Sequence, residues 1–359
     1  MDLVDILLEV LEREASDLHL TVGAPPIVRV NGVLERLDYP RLGANDTREL
    51  IYSILSQDQR QRLENEWEMD FSYSVPGRAR FRVNAYFQRN SLGAAFRLIP
   101  VQIRKLEDLG LPQALRAFTT KPRGFVVVTG PTGCGKSTTL ASMIDEINEV
   151  REEHIMTIED PIEFLHHHKK CMINQREVGA DTKSFNRALK SVLRQDPDVI
   201  LVGEMRDIET MATALTAAET GHLVFATLHT QDAPQTIDRI IDVFPPHQQE
   251  QIRVQLSTTL VGVCTQQLLP TRDGRGRVVA CELLVPTPAV RNLIREGKTH
   301  QIYSVMQTGQ QYGMVTMDST LADLVRRGVI SLELAQRRSS APDQLNRLLG
   351  PQGQAARSG

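Results

Sequence analysis

Gly124-Phe125-Val126-Val127-Val128-Thr129-Gly130-Pro131-Thr132-Gly133-Cys134-Gly135-Lys136-Ser137-Thr138 is the stretch on which the reading of the fold turns. Gly124 to Thr129 is a continuous, largely β-branched run, the pattern of a strand buried on both faces. Gly130 to Ser137 then satisfies G-x-x-x-x-G-K-[ST] at every fixed position. Glycine is needed where backbone amides turn inward toward phosphate oxygens and a Cβ would stand in the way. Lys136 supplies a point charge for β- and γ-phosphates, and the Ser137 hydroxyl suits Mg²⁺. A helix that follows would aim its positive end at the anion. The expected nucleotide-contacting set is therefore Gly130, Pro131, Thr132, Gly133, Cys134, Gly135, Lys136, Ser137 and Thr138. An ordinary glycine-rich turn is the bland alternative, and the strand before and helix after argue against it.

Downstream, strand and helix patterns alternate. A helix is expected over Lys136 to Asn148, a strand over His154 to Ile158 and a helix over Thr182 to Arg194. A strand over Val199 to Val202, a helix over Ile208 to Thr220 and a strand over Leu223 to Leu228 follow. Such alternation predicts a mostly parallel α/β sheet. Beyond Pro286 the pattern is mainly helical, and the tail 350–359 has no apolar face and reads as disordered.

Upstream, residues 1–100 read as a smaller α+β domain. Leu3 to Glu12 has helical apolar spacing, and Ser16 to Leu20 and Ile27 to Val30 read as short strands, the second ending in the hairpin signal Asn31-Gly32. One helix is expected over Asp46 to Glu66, then strands over Asp70 to Val75, Ala79 to Gln88 and Gly93 to Pro100. Residues 101–112 read as a linker into the second domain, 113–349.

Composition bounds the function class. With 41% hydrophobic and 24% charged residues, 359 residues suffice for two domains of ordinary size. The net charge of −3 gives no global basic field for nucleic acid or anionic membrane. Cys134, Cys171, Cys264 and Cys281 form no C-x-x-C pair, so free thiols in a reducing compartment are expected. No basic leader or long apolar run is present, and the expected location is cytoplasmic, with any membrane role passing through partners.

Further chemistry is expected at strand ends. Asp198 to Val202 runs into Gly203-Glu204, which places a carboxylate where ligands meet α/β sheets. Glu204 can orient or deprotonate an attacking water, or it can be a surface or helix-capping acid. Gly203 stands where an Mg²⁺-binding aspartate is often found on such a strand. Glu159-Asp160-Pro161-Ile162-Glu163 offers carboxylates that either reach Mg²⁺ or are solvated turn residues. The metal set expected is Ser137, Glu159 and Glu163. His166-His167-His168 lacks the spacing of a ligand pair. His229 closes its strand at the edge of Glu204, where it could sense a γ-phosphate or be structural. Arg78, Arg80 and Arg82 share one face at period two, with Arg89 and Arg97 nearby in sequence, forming a solvated basic face or a phosphate-facing group.

These segments together resemble the type II/type IV secretion ATPase superfamily, and within it the PilT family of type IV pilus retraction ATPases. The resemblance spans residues 1 to 345. It rests on His154 to Phe164, on Arg194 to Asp207 with its Asp196-Pro197-Asp198 and Glu204, and on Thr220-Gly221-His222 through Leu228-His229-Thr230. Ala289-Val290-Arg291-Asn292-Leu293-Ile294-Arg295-Glu296 and Tyr312 to Asp318 are similar to retraction-type stretches. It implies a PAS-like first domain, a RecA-like P-loop ATPase domain with a helical C-terminal part, and a homohexamer binding ATP and Mg²⁺ between domains. It implies Glu204 as the hydrolytic carboxylate, Glu163, His222 and His229 in the site, and Arg82 and Arg97 near the phosphates. Implied partners are an inner-membrane pilus platform protein, at the cytoplasmic face of the inner membrane, and a second retraction ATPase. Cys134 replaces the usual serine, and a thiol beside a helix N-terminus is a candidate for oxidation. Gln195, Val290 and Gln231 to Pro234 also depart from the family pattern.

Rival readings remain. Pilus assembly and type II secretion ATPases are longer and carry paired cysteines that this chain lacks. An accessory retraction paralogue shares most of the signature. A RecA-like nucleic-acid translocase would need a basic channel, and a non-hydrolysing ATP sensor would not need Glu204.

Overall fold

The computed structural model of the chain describes residues 1–99 and 102–350. It divides into two compact units: Met1–Gln102, which also takes Glu163–Leu165, and the rest of the described residues. The tail expected to be disordered lies, from residue 351 onward, outside the described residues.

The first unit is built from α1 (Leu3–Glu12), β1 (Asp17–Leu20), β2 (Ile27–Val30), β3 (Val33–Arg36), α2 (Ala44–Ser53), α3 (Gln57–Glu66), β4 (Glu68–Val75), β5 (Ala79–Gln88) and β6 (Ser91–Ile99). Its strands form one antiparallel sheet in the order β3-β2-β1-β6-β5-β4. Helix α1 buries Leu3, Ile6, Leu7 and Val10, one stripe at helical spacing. On β5, Ala79, Phe81, Val83 and Ala85 are buried while Arg82 on the opposite face is exposed, the period-two alternation of a sheet with one covered face. The single helix expected over Asp46 to Glu66 is two helices. Ser56 opens the second: its hydroxyl accepts from Gln59 N at 3.2 Å and Gln59 returns a carbonyl to Ser56 N at 2.9 Å.

The second unit contains α4 (Arg116–Thr119), β7 (Gly124–Thr129), α5 (Lys136–Val150), β8 (His154–Glu159), β9 (Met172–Glu177), α6 (Phe185–Val192), β10 (Val199–Val202), α7 (Ile208–Glu219), β11 (Leu223–Leu228), α8 (Ala233–Asp242), α9 (Pro246–Thr259), β12 (Leu260–Pro270) and β13 (Arg277–Leu284). It continues through α10 (Pro288–Arg295), α11 (Ile302–Thr308), α12 (Met317–Arg326), α13 (Leu332–Arg338) and α14 (Pro342–Leu349). The sheet runs β13-β12-β7-β11-β10-β8-β9, parallel except for the β12–β13 pair. Successive residues of β7 face different layers. Phe125 and Val127 pack with residues of α6 to α10, whereas Val126 and Val128 pack with α4 and α5. A strand buried on both sides needs this doubled apolar pattern, as its sequence shows. Strands β9, β12 and β13 extend the sheet beyond the expected four.

Helix α10 carries the Ala289 to Glu296 signature. Its Arg291 guanidinium donates to Ser257 O at 2.5 Å, Thr258 O at 3.1 Å and Leu260 O at 3.0 Å, capping the orphan carbonyls where α9 ends. That local role in the fold is independent of any family pattern.

Gly262 on β12 meets the Phe118 ring so closely that an added Cβ would fall 2.1 Å from it. Gly262→Ala should therefore lower stability by about 1–3 kcal/mol in a denaturant titration, and Phe118→Leu should recover part of the loss when combined with it.

Candidate nucleotide-binding site

The loop after β7 bends sharply at Gly130, whose φ is +134°. A Cβ there would lie 2.3 Å from Gln266 O and 2.7 Å from Cys134 Sγ, so only glycine lets the loop sit this close to β12. Gly133 and Gly135 have φ of +78° and +97° with open space around them; they are needed for backbone conformation. Helix α5 starts at Lys136, and its ammonium donates to Gly130 O at 2.8 Å and Pro131 O at 3.2 Å. The cation is thus held directly over the loop it would share with a phosphate, at the positive end of a helix of 15 residues. Ser137 and Thr138 lie half-buried in the same first turn, and Pro131 and Thr132 are exposed on the loop.

Behind the loop is a buried polar network absent from the sequence reading. Thr129 Oγ1 donates to Thr265 Oγ1 at 2.9 Å, and Gln266 Nε2 donates to Thr139 Oγ1 at 2.8 Å. These bonds fasten β7 and α5 to β12 on either side of the loop. Thr265, Gln266 and Gln267 interrupt an otherwise apolar strand, which was the available signal.

Parallel register brings three strand ends to the loop's edge. Thr129 pairs with Leu228, Val202 with Ala226 and Ile158 with Val202. Just past these ends lie Glu204 and His229, with Glu159 the last residue of β8. Glu204 accepts from Arg206 Nη2 at 2.6 Å, and its other oxygen lies 3.1 Å from His229 Nε2. Its side chain is 21% exposed, and the bond from Arg206, opposed by partial burial, holds its carboxyl below the usual range. Arg206 was not singled out from sequence; its place two residues after Glu204 was the visible signal. Gly203 has a tight neighbour: a Cβ would come 3.1 Å from Ile158 O and 3.2 Å from Glu159 Cα. Backbone of β8 would thus lie tight against any side chain placed at that position. Glu159 accepts from Thr157 Oγ1 at 2.6 Å and from Gln175 at 3.2 Å, bonds within the sheet.

Other expected residues lie elsewhere. His222 precedes β11 at the strand end opposite His229, with Nδ1 2.9 Å from Ala217 O. Within one chain the length of β11, roughly 3.3 Å per residue, separates it from the nucleotide loop. Glu163 groups with the first unit. Arg82 and Arg97 are directly opposed on β5 and β6 of that unit, and Arg97 Nε donates to Asp17 at 2.8 Å. Of the histidine run, burial lowers the pKa of His166 to about 4 and His168 Nδ1 accepts from Ile173 N at 3.0 Å. Among the described residues no group of His, Cys, Asp and Glu has metal-binding geometry. No described helix is long and apolar enough to cross a membrane.

The Cys134 thiol is buried, and burial raises its pKa despite Lys136 beside it. Desolvation thus outweighs the nearby helix N-terminus and lysine in setting this thiol's ionisation. All four cysteines are free and buried. A thiol-specific chromogenic reagent should consequently react within minutes only after denaturation; rapid labelling of native Cys134 would contradict the burial.

With that geometry in hand, relatives can be compared. The family described as type II/IV secretion system protein matches residues 2–337. The type IV pilus retraction ATPase PilT of Pseudomonas aeruginosa is 51% identical over 343 residues, covering 96% of this chain and 99% of that protein. The type IV pilus ATPase PilU of the same organism is 41% identical over 349 residues, covering 97% of this chain and 91% of PilU. A crystal structure described as the pilus retraction motor PilT with bound ADP superposes with a TM-score of 0.90 at 53% identity, covering 97% and 99% of the two chains. A family match across nearly the whole chain, joined to a mixed α/β fold shared with a solved member, places this protein in the type II/IV secretion system protein family.

Proposed function

We propose that the chain is an ATP-hydrolysing motor for type IV pilus retraction, powering twitching motility. The observation that carries the reading is the convergence of Lys136, Glu204 and His229 on one sheet edge. The near full-length similarity to a retraction ATPase gives that edge its substrate. Identity of 51% against 41% favours the retraction ATPase over the second pilus ATPase as the nearer counterpart.

In this reading residues 113–349 are a RecA-like P-loop domain, 1–100 a PAS-like domain and 101–112 their linker. The donor set fits ATP: a backbone cradle, a lysine over it and a helix N-terminus. Gly130 to Thr138 contact the phosphates, and Ser137 is the Mg²⁺ residue, with Glu163 and Glu159 reaching it through water. Bound Mg²⁺ would neutralise charge on the β- and γ-phosphates. Glu204 orients the attacking water and accepts its proton. Arg206 keeps Glu204 ionised and has to yield for the carboxylate to act as a base. His229 hydrogen-bonds the γ-phosphate and reports its loss. Arg82 and Arg97 stand opposite each other on neighbouring strands, with Asp17 already paired to Arg97, and are proposed to face phosphate. A homohexamer acting on an inner-membrane platform protein from the cytoplasmic side, with a second retraction ATPase as a further partner, completes the proposal.

Glu204→Gln should lower kcat by about 10²- to 10³-fold with nucleotide affinity retained, whereas Lys136→Ala should lose nucleotide binding. Steady-state hydrolysis with fluorescent-nucleotide titration separates the two, and equal rates for wild type and Glu204→Gln would remove Glu204 from catalysis. In the host, deletion should leave piliated cells that cannot retract; bald cells would sink the retraction reading.

The same carboxylate has a pH signature. Its depressed pKa stabilises the fold above the unfolded-state carboxylate range, and that contribution is lost as pH falls through the native value. Arg206→Ala should shift the acid limb of kcat to higher pH. An unmoved limb would show that Arg206 does not set the ionisation of Glu204.

A further inference from the structure

Glu282 lies on β13 with 1% of its surface exposed and takes no part in the chemistry above. One carboxylate oxygen accepts from Ala233 N at 2.8 Å and the other from Met317 N at 3.3 Å. These are the first residues of α8 and α12. A single buried side chain therefore satisfies orphan amides of two helices far apart in sequence.

Helix α8 is the one that β11 runs into, and only Thr230 to Asp232 separate His229 from Ala233. That corner is closely tied. Thr230 Oγ1 lies 2.6 Å from Thr236 Oγ1, Thr236 Oγ1 donates to Asp232 O at 2.7 Å, and Gln235 N donates to Asp232 Oδ1 at 2.7 Å. Helix α12 belongs to the C-terminal layer, where Asp318 accepts from Tyr303 Oη at 2.8 Å and from the Ser339 hydroxyl. A path of these hydrogen bonds and the short backbone steps between them leads from the His229 corner through Glu282 to that layer.

We propose that Glu282 is a positioning residue acting through His229: by clasping α8 and α12 it joins the β11–α8 corner to the C-terminal helices, so that displacement of His229 is passed to them. The inference rests on the reading of His229 given under the proposed function.

The energetics argue that this acid is kept for more than stability. Burial pushes the Glu282 carboxyl up to about 7, helped by Asp232 and Asp318 and opposed by the two amides. Tyr303 on α11 also feels its charge, as do Cys281 on β13 and Cys264 on β12, which point to the other face of the sheet. The native chain holds this proton more tightly than the unfolded chain does. Stability from this group therefore falls as pH rises from the ordinary carboxylate range through about 7. Above that, ionising a carboxylate buried to this degree costs the folded state stability.

The test compares Glu282→Gln, His229→Ala and their double variant in the full chain, with Glu204→Gln as reference and thermal melts throughout. Glu282→Gln keeps the shape but offers one acceptor oxygen for two helix amides, so it should melt somewhat below wild type while staying folded, and lose about 5- to 50-fold in kcat with little change in KM. The double variant should be no slower than His229→Ala alone, since both act on one path. Thr236→Val breaks the same path at the corner and should show the same non-additivity; it stands in if Glu282→Gln does not fold. An unchanged kcat in Glu282→Gln, additive losses, or a silent His229→Ala each overturn the clasp. Undiminished hydrolysis by Glu204→Gln would instead overturn the hydrolytic role of Glu204, a separate outcome.

Discussion

The closest approach in the nucleotide loop is that of Gly130 to the backbone of β12. With φ at +134° and no room for a Cβ, this residue presses the start of the loop against Gln266 O. The buried pairs Thr129–Thr265 and Thr139–Gln266 hold the strand before and the helix after in the same relation. Lys136 depends on this, because its ammonium bonds the Gly130 and Pro131 carbonyls and would lose its seat if the loop lifted. An isolated glycine-rich turn would not hold that shape. The loop is rigid because a neighbouring strand, distant in sequence, supplies polar partners that leave few donors or acceptors unmet.

Strand direction accounts for which other groups join the loop. In a parallel sheet every crossover helix returns the chain to the same starting edge, so residues just past successive strands collect at the other. That is why Glu204 and His229 meet at 3.1 Å while His222, six β11 residues earlier, does not. Arg206 then sets the local balance. Its short bond to Glu204 outweighs the partial burial that would raise the carboxyl, so the resting site holds an ionised acid engaged by a cation and not a free base.

The sequence was most legible where one local pattern carried the information. The loop motif, the doubly apolar β7 and the helix–strand alternation through Leu228 all follow from period and spacing, and all appear in the structure. Legibility failed where partners are remote. Strand β12 has Gly262 and the polar run Thr265 to Gln267 inside it, which blurs its apolar pattern; those residues make sense only beside Phe118, Thr129 and Thr139. The break between α2 and α3 was readable, since Ser56 and Gln59 have capping-box spacing, but helical periodicity on both sides outweighed it. The fate of His222 depends on which end of a strand it occupies, and the dipeptide around it carries no such label. For Cys134 the position next to a helix N-terminus is visible in sequence while its burial is not.

Two ionisable side chains, half-buried Arg291 and buried Glu282, shape the half of the second unit that follows β11. Arg291 fills the carbonyl end of α9 from α10, and Glu282 fills the amide ends of α8 and α12 from β13. Ordinary helix caps are local, made by a residue next to the helix, and each leaves its helix free to tilt as a unit. Caps supplied from distant segments do something different: a helix cannot shift without exposing or stranding a charge in the core, which is costly. The apolar contacts among these helices are compatible with several small slides, since side chains of similar size can repack. The remote caps are not, because they fix donor and acceptor to tenths of an ångström. The helices therefore have a preferred arrangement with few near neighbours in energy, and a load applied at the His229 corner is resisted or passed on as a step instead of being absorbed by gradual creep.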